Sequence, residues 1–197
     1  MVNKFFNYKE LSAEKQEETK SGAYVSKYLA THFEKVANLE DDLTRLPTPG
    51  EFFFLQSGSA FNAFTFIPMI ARRFPVKELF ASTYSINRRV IDALMELHDK
   101  GAIEQVTLLV SESMIKRNPV TIDNLHAMAA SRPNVKVYYA WSHAKICLLK
   151  TQDFHFVIEG SGNWSENAYF EQYLLANDEG LYNFRKLLFE DPKLKKY

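Results

Sequence analysis

Of 197 residues only one is a cysteine, so no disulfide can form within the chain. Cys147 lies in a stretch rich in β-formers and reads as a small buried hydrophobe. An excess of charge is also missing: 24 Lys and Arg balance 24 Asp and Glu, which removes the overall basic character common among nucleic-acid binders. No apolar run approaches the roughly 18 residues of a membrane span, and Met1 to Glu10 lacks the apolar core of a secretory signal. The expected setting is cytoplasmic, with no membrane partner. Neither a Walker A loop nor a dinucleotide glycine signature occurs, and no His/Cys group has metal-ligand spacing. Internal repeats and low-complexity tracts are absent too.

The remaining composition suits a globular domain, since 46% of the residues are hydrophobic and supply a sizeable core. Residues 12–40 read as a charged helix or helix pair, with Tyr24, Tyr28, Leu29, Phe33 and Val36 at helical spacing. The strongest break is Leu46-Pro47-Thr48-Pro49-Gly50. It divides the chain into an N-terminal helical extension, 1–50, and a catalytic domain, 51–197. Beyond it, strand and helix signals alternate: strands at Phe52–Leu55, Leu79–Tyr84, Val106–Val110 and Val135–Tyr139, helices at Ala60–Phe74, Arg88–Lys100 and Ile122–Ala130. A hairpin, a further strand at Gln172–Ala176 and a closing helix at Leu181–Phe189 follow. The pattern is α/β, with parallel strands preceding the hairpin.

The chemistry concentrates between His143 and Glu171. Trp141–Lys150 reads as a strand, in which residues two apart share a face, so His143 and Lys145 project together. Phe154–Glu159 reads as its hairpin partner across a Thr151-Gln152-Asp153 turn, and ends in Gly160-Ser161-Gly162-Asn163-Trp164-Ser165. Glycines at a strand end let backbone N–H groups approach an anion, with Ser and Asn as additional donors. An imidazole, an ammonium, a hydroxyl, an amide and a carboxylate are thus brought together. Such a set suits a phosphodiester: Lys145 and Asn163 can clamp its non-bridging oxygens, neutral His143 can attack phosphorus, and Glu171 can orient the imidazole through its other N–H. The ammonium neutralises charge, so the scheme requires neither metal nor cofactor.

His143-Ala144-Lys145, Gly160-Ser161-Gly162-Asn163 and the downstream Glu171 resemble the signature of the phospholipase D superfamily. The resemblance implies a mixed β-sheet flanked by helices on both faces and a phosphohistidine mechanism. His143 is then the nucleophile, Lys145 and Asn163 bind phosphate, Glu171 orients His143, and Gly160, Ser161, Gly162 and Ser165 form the substrate-binding turn. Where the family has an Asp five residues after the lysine, position 150 here is Lys. The family site needs two histidines, and this chain carries one motif, as do short bacterial endonucleases that build one site across a homodimer. The resemblance therefore implies a metal-independent nuclease acting on DNA or RNA as a homodimer. The alternatives are a phospholipid phosphodiesterase or transphosphatidylase, which no amphipathic or polybasic segment supports, and a non-catalytic nucleic-acid-binding module. Gln56-Ser57-Gly58-Ser59 is expected to be a loop, His155 to be structural, and the basic pairs Arg72-Arg73, Arg88-Arg89 and Lys116-Arg117 to be solvated faces.

Overall fold

The computed structural model describes residues 29–165 and 168–196. Among these, nine strands form one sheet in the order β1-β2-β8-β7-β6-β3-β4-β5-β9. The strands are β1 (Leu29–Val36), β2 (Glu51–Ser57), β3 (Val76–Thr83), β4 (Ile103–Ser111), β5 (Val135–Ala140), β6 (Ile146–Lys150), β7 (His155–Gly160), β8 (Gln172–Asn177) and β9 (Lys195–Lys196). The helices are α1 (Leu39–Asp42), α2 (Phe66–Ala71), α3 (Arg88–Asp99), α4 (Ser113–Arg117), α5 (Pro119–Ala130) and α6 (Glu179–Lys186), with 3-10 turns at Ala63–Thr65 and Leu187–Glu190. β3, β4 and β5 run parallel, while β6, β7 and β8 form an antiparallel meander that joins β3 to β2. The expected mixed sheet is therefore present.

Both faces of the sheet are covered, and strand alternation assigns side chains to each. On β6, Cys147 and Leu149 join the core beneath α2, α3 and α5, with Ile70, Leu94 and Leu125. Ile146 and Leu148 point the other way, to Leu181, Tyr182 and Phe189 of α6 and the turn after it. The helices start where polar side chains satisfy their first N–H groups: Asn87 Oδ1 accepts from Val90 N at 3.0 Å and Asp178 Oδ1 from Leu181 N at 2.8 Å. α5 combines an Asn118 cap with Pro119 at its first turn.

Two local expectations are corrected. The first concerns the helical reading of residues 12–40. Residues 12–28 lie outside the described residues, and Leu29–Val36 is a strand, pairing in parallel with β2 from Leu29↔Glu51 to Phe33↔Leu55. The apolar spacing fits a helix, but the exposed edge of β2 offers these backbone groups a ladder and Phe53 offers Phe33 a ring at 5.0 Å. The register shifts after Phe33, where Lys35 takes a left-handed φ of 57°, a conformation costly for a side chain other than glycine. Gly58 fits against this irregularity, since a Cβ there would lie 2.9 Å from Lys35 Cα.

The second correction shortens the His143 strand. Pairing begins only at Ile146, opposite Ser82 of β3 and Glu159 of β7, so His143 and Lys145 sit on the segment leading into β6. Ser142 Oγ accepts from Ala144 N at 3.1 Å, and Ser82 Oγ donates to the Ala144 carbonyl at 3.0 Å. Side-chain hydroxyls thus take the backbone bonds that a ladder would have used. The expected hairpin turn is present, closed by Thr151 N to Phe154 O at 3.0 Å.

Candidate active site

Antiparallel neighbours bring opposite strand ends to one place. The carboxyl ends of β2, β3, β4, β5 and β7 and the amino ends of β6 and β8 therefore meet at one end of the sheet. The sequence motif lies there, at the position where open α/β sheets hold ligands.

His143 is exposed, and its imidazole lies against the Tyr84 ring, centroids 4.0 Å apart and planes tilted by 31°. Lys145 Nζ donates to the His143 carbonyl at 3.0 Å and stands 6.0 Å from the centroid of the same Tyr84 ring. Both motif side chains reach toward Tyr84, the residue after β3. The Arg117 guanidinium, at the end of α4, also packs on that ring, 4.4 Å from its centroid. Tyr84 thus gathers one imidazole and two cations.

The Gly160–Ser165 turn lies beside them, because the Gly160 N–H points at the Lys145 carbonyl at 3.4 Å. Its backbone is less open to an anion than expected. The Ser161 N–H goes to Gln172 O at 3.1 Å, so two N–H groups of the turn close the sheet. The glycine at 160 is required by packing: a Cβ there would fall 2.3 Å from Gln172 O and 2.6 Å from Tyr173 Cδ1. Gly162 is buried and Asn163 half-buried, with its carbonyl accepting from Ala63 N at 3.2 Å. Ser165 Oγ meets Ser85 Oγ at 2.7 Å, and Trp164 N donates to Thr83 Oγ1 at 3.1 Å, which fastens the turn to the end of β3.

Glu171 has a different partner from the one expected. Its carboxylate accepts a short hydrogen bond from the Ser161 hydroxyl, whose oxygen in turn accepts from Gln172 N at 3.1 Å. Among the described residues no hydrogen bond joins the His143 ring to Glu171. The Glu171 backbone is held by the last residue of β2, with Glu171 N donating to Ser57 Oγ at 2.6 Å and Ser57 N to Glu171 O at 2.9 Å. The expected loop over Gln56-Ser57-Gly58-Ser59 is thus corrected: Gln56, paired with Gln172, and Ser57 complete β2, and only Gly58 and Ser59 lie beyond the strand. His155 lies at the other end of β7 from the motif, packed edge-on against Tyr182 at 5.1 Å, and burial lowers its pKa.

Tyr84, Ser57, Ser85 and Arg117 were not singled out from the sequence as site residues. Tyr84 ends the strand expected at Leu79–Tyr84 and Ser85 follows it, and a position at the carboxyl end of a parallel strand is the available signal. Among the described residues no group of three His, Cys, Asp or Glu side chains could hold a metal ion, and no helix is long and apolar enough to cross a membrane.

Fold and motif together define a phospholipase D-like domain. The family model described as "Cardiolipin synthase, PLD-like domain" matches residues 76–181, more than half of the chain and all of the motif. The chain belongs to this family. Among solved structures, phosphatidylserine synthase from Haemophilus influenzae Rd KW20 is similar at 14% identity and a TM-score of 0.51, over 74% of this chain and 40% of that one. Polyphosphate kinase from Porphyromonas gingivalis aligns at 15% identity and 0.48, over 72% and 26%. TrmBL2, an archaeal chromatin protein, aligns at 11% identity and 0.45, over 70% and 53%. The chain thus spans well under two thirds of the length of each of these structures. No curated protein matches it.

Proposed function

We infer that the protein is a metal-independent phosphodiesterase, a nuclease acting on DNA or RNA, and that two copies of the chain complete one site. The observation that carries this reading is the placement of one His-x-Lys pair and one Gly-Ser-x-Asn turn at the same end of the sheet, with an exposed imidazole. In the first step a His143 ring nitrogen attacks phosphorus and the P–O bond to the leaving group breaks. The partner copy's imidazolium gives its proton to that oxygen. Water then attacks the phosphohistidine, the P–N bond breaks, and the partner's imidazole, now neutral, takes the water proton. Lys145 and Asn163 stabilise charge on the non-bridging oxygens. Glu171 holds Ser161 and through it the turn that carries Asn163.

A second reading, phosphodiester transfer on a phospholipid, draws support from the description of the matching family as cardiolipin synthase. The deciding experiment is cleavage of plasmid, single-stranded DNA, RNA and anionic phospholipid in excess EDTA, beside His143→Ala. Cleavage of a nucleic acid that survives chelation and vanishes in the variant supports the nuclease. Hydrolysis of lipid with nucleic acid untouched supports the second reading, and no turnover of any substrate leaves a binding module.

A further inference from the structure

A groove of about 460 Å3 opens between α4 and Trp141, on the segment that leads through His143 into β6. That volume lies within the range of small-ligand clefts. Ser113, Ile115, Lys116, Arg117 and Trp141 line it. Trp141 is 74% exposed, unusual for the largest apolar side chain, and stands two residues before His143. Glu112, the one carboxylate at the groove, is paired with Lys195 at 2.9 Å. Among the described residues no carboxylate pairs with Lys116 or Arg117. The chain is neutral overall, but this wall of the site carries uncompensated positive charge around an exposed indole.

The groove joins the motif through direct contacts. Arg117 packs on Tyr84, and Tyr84 packs on His143. Arg117 is itself oriented by Ser113 Oγ at 3.3 Å, while Glu112 N to Ala140 O at 2.9 Å fixes the start of α4 to the end of β5. A flat aromatic face beside cations is the arrangement that holds an unstacked base and its phosphate.

Resting on the nuclease reading, we propose that this groove binds the nucleotide next to the scissile diester of a single-stranded nucleic acid, with the base stacked on Trp141 and its phosphate held by Lys116 and Arg117. The substrate is then a single strand or a locally opened duplex, since a paired base cannot stack on the indole.

The chain offers a direct probe, because it has two tryptophans and the other, Trp164, is 1% exposed. Titration of the full-length His143→Ala protein, which leaves the strand uncut, with a ten-nucleotide oligothymidylate should quench the exposed indole, and adding Trp141→Ala should abolish the quenching and weaken binding about 10- to 100-fold. Trp141→Phe should restore most of the affinity. Lys116→Ala should lower the slope of log affinity against log salt by about 0.7. Nucleic-acid cleavage that is equal in wild type and Trp141→Ala overturns this inference and leaves the nuclease reading standing. Absence of any nucleic-acid binding, or quenching by phosphatidylglycerol vesicles alone, overturns both.

Discussion

The imidazole of His143 lies against the ring of Tyr84, centroids 4.0 Å apart, while the carboxylate of Glu171 is engaged by Ser161. The orientation of the imidazole therefore comes from packing on an aromatic face, with no carboxylate hydrogen bond to its ring among the described residues. Tyr84 follows β3 directly, so a rigid strand end sets the position of its ring.

Tyr84→Ala removes the surface on which His143 and Arg117 rest. We expect kcat on a small diester to fall about 10- to 100-fold with KM changed little, since misplacing a reacting group by about 1 Å has that effect. Tyr84→Phe keeps the ring and should keep most of the activity; steady-state kinetics on the two variants distinguishes packing from a role of the hydroxyl.

Gly160→Ala places a methyl where Gln172 O lies 2.3 Å away. The end of β7 must separate from β8, at about 1–3 kcal/mol of stability, and Ser161 moves away from Glu171. Denaturant unfolding and turnover of the variant should both decline, the second beyond what the loss of folded protein explains.

Glu51 is buried and held by a bidentate bond from Arg45 at 2.6 and 2.7 Å and by Thr48. The Arg45 hydrogen bond, with help from Thr48 and against burial, brings its pKa from 4.5 down to about 2. Because the folded value is the lower one, this stabilisation is complete above pH 4.5 and is lost as pH falls toward 2. Thermal unfolding of Glu51→Gln should show a shallower decline over that window than the wild type, with activity at neutral pH little altered, since Glu51 begins β2 at the end remote from the motif.

Cys147 is 1% exposed, and burial pushes its thiol up to about 12. Iodoacetamide at pH 8 should leave the native protein unmodified and alkylate it once in denaturant, read by mass spectrometry. Rapid modification of the native protein would contradict the core placement of β6.

Much of the fold was legible because its signals are local. Strand signals placed β2 to β8, whereas two helices begin earlier than expected, at Pro119 and Glu179, where Asn118 and Asp178 cap them. β1 was not legible as a strand, since its edge pairing with β2 is a tertiary choice that overrides the spacing of Leu29, Phe33 and Val36. The candidate site residues come from one motif, and the structure places them at one end of the sheet. Their partners were not legible, because the Ser161–Glu171 bond and the contacts of Tyr84 with His143 and Arg117 join segments brought together only by strand order. Local competition by Ser142 also cut the His143 strand short, an effect that strand propensity does not register.

The central claim is that His143 carries phosphorus, and its most direct test is to trap that bond. Wild-type protein mixed with a diester labelled at phosphorus and quenched in alkali, where phosphohistidine survives, should yield label on the peptide containing His143, with neither label nor turnover in His143→Ala. Label on another residue, or undiminished hydrolysis by His143→Ala, would contradict the account.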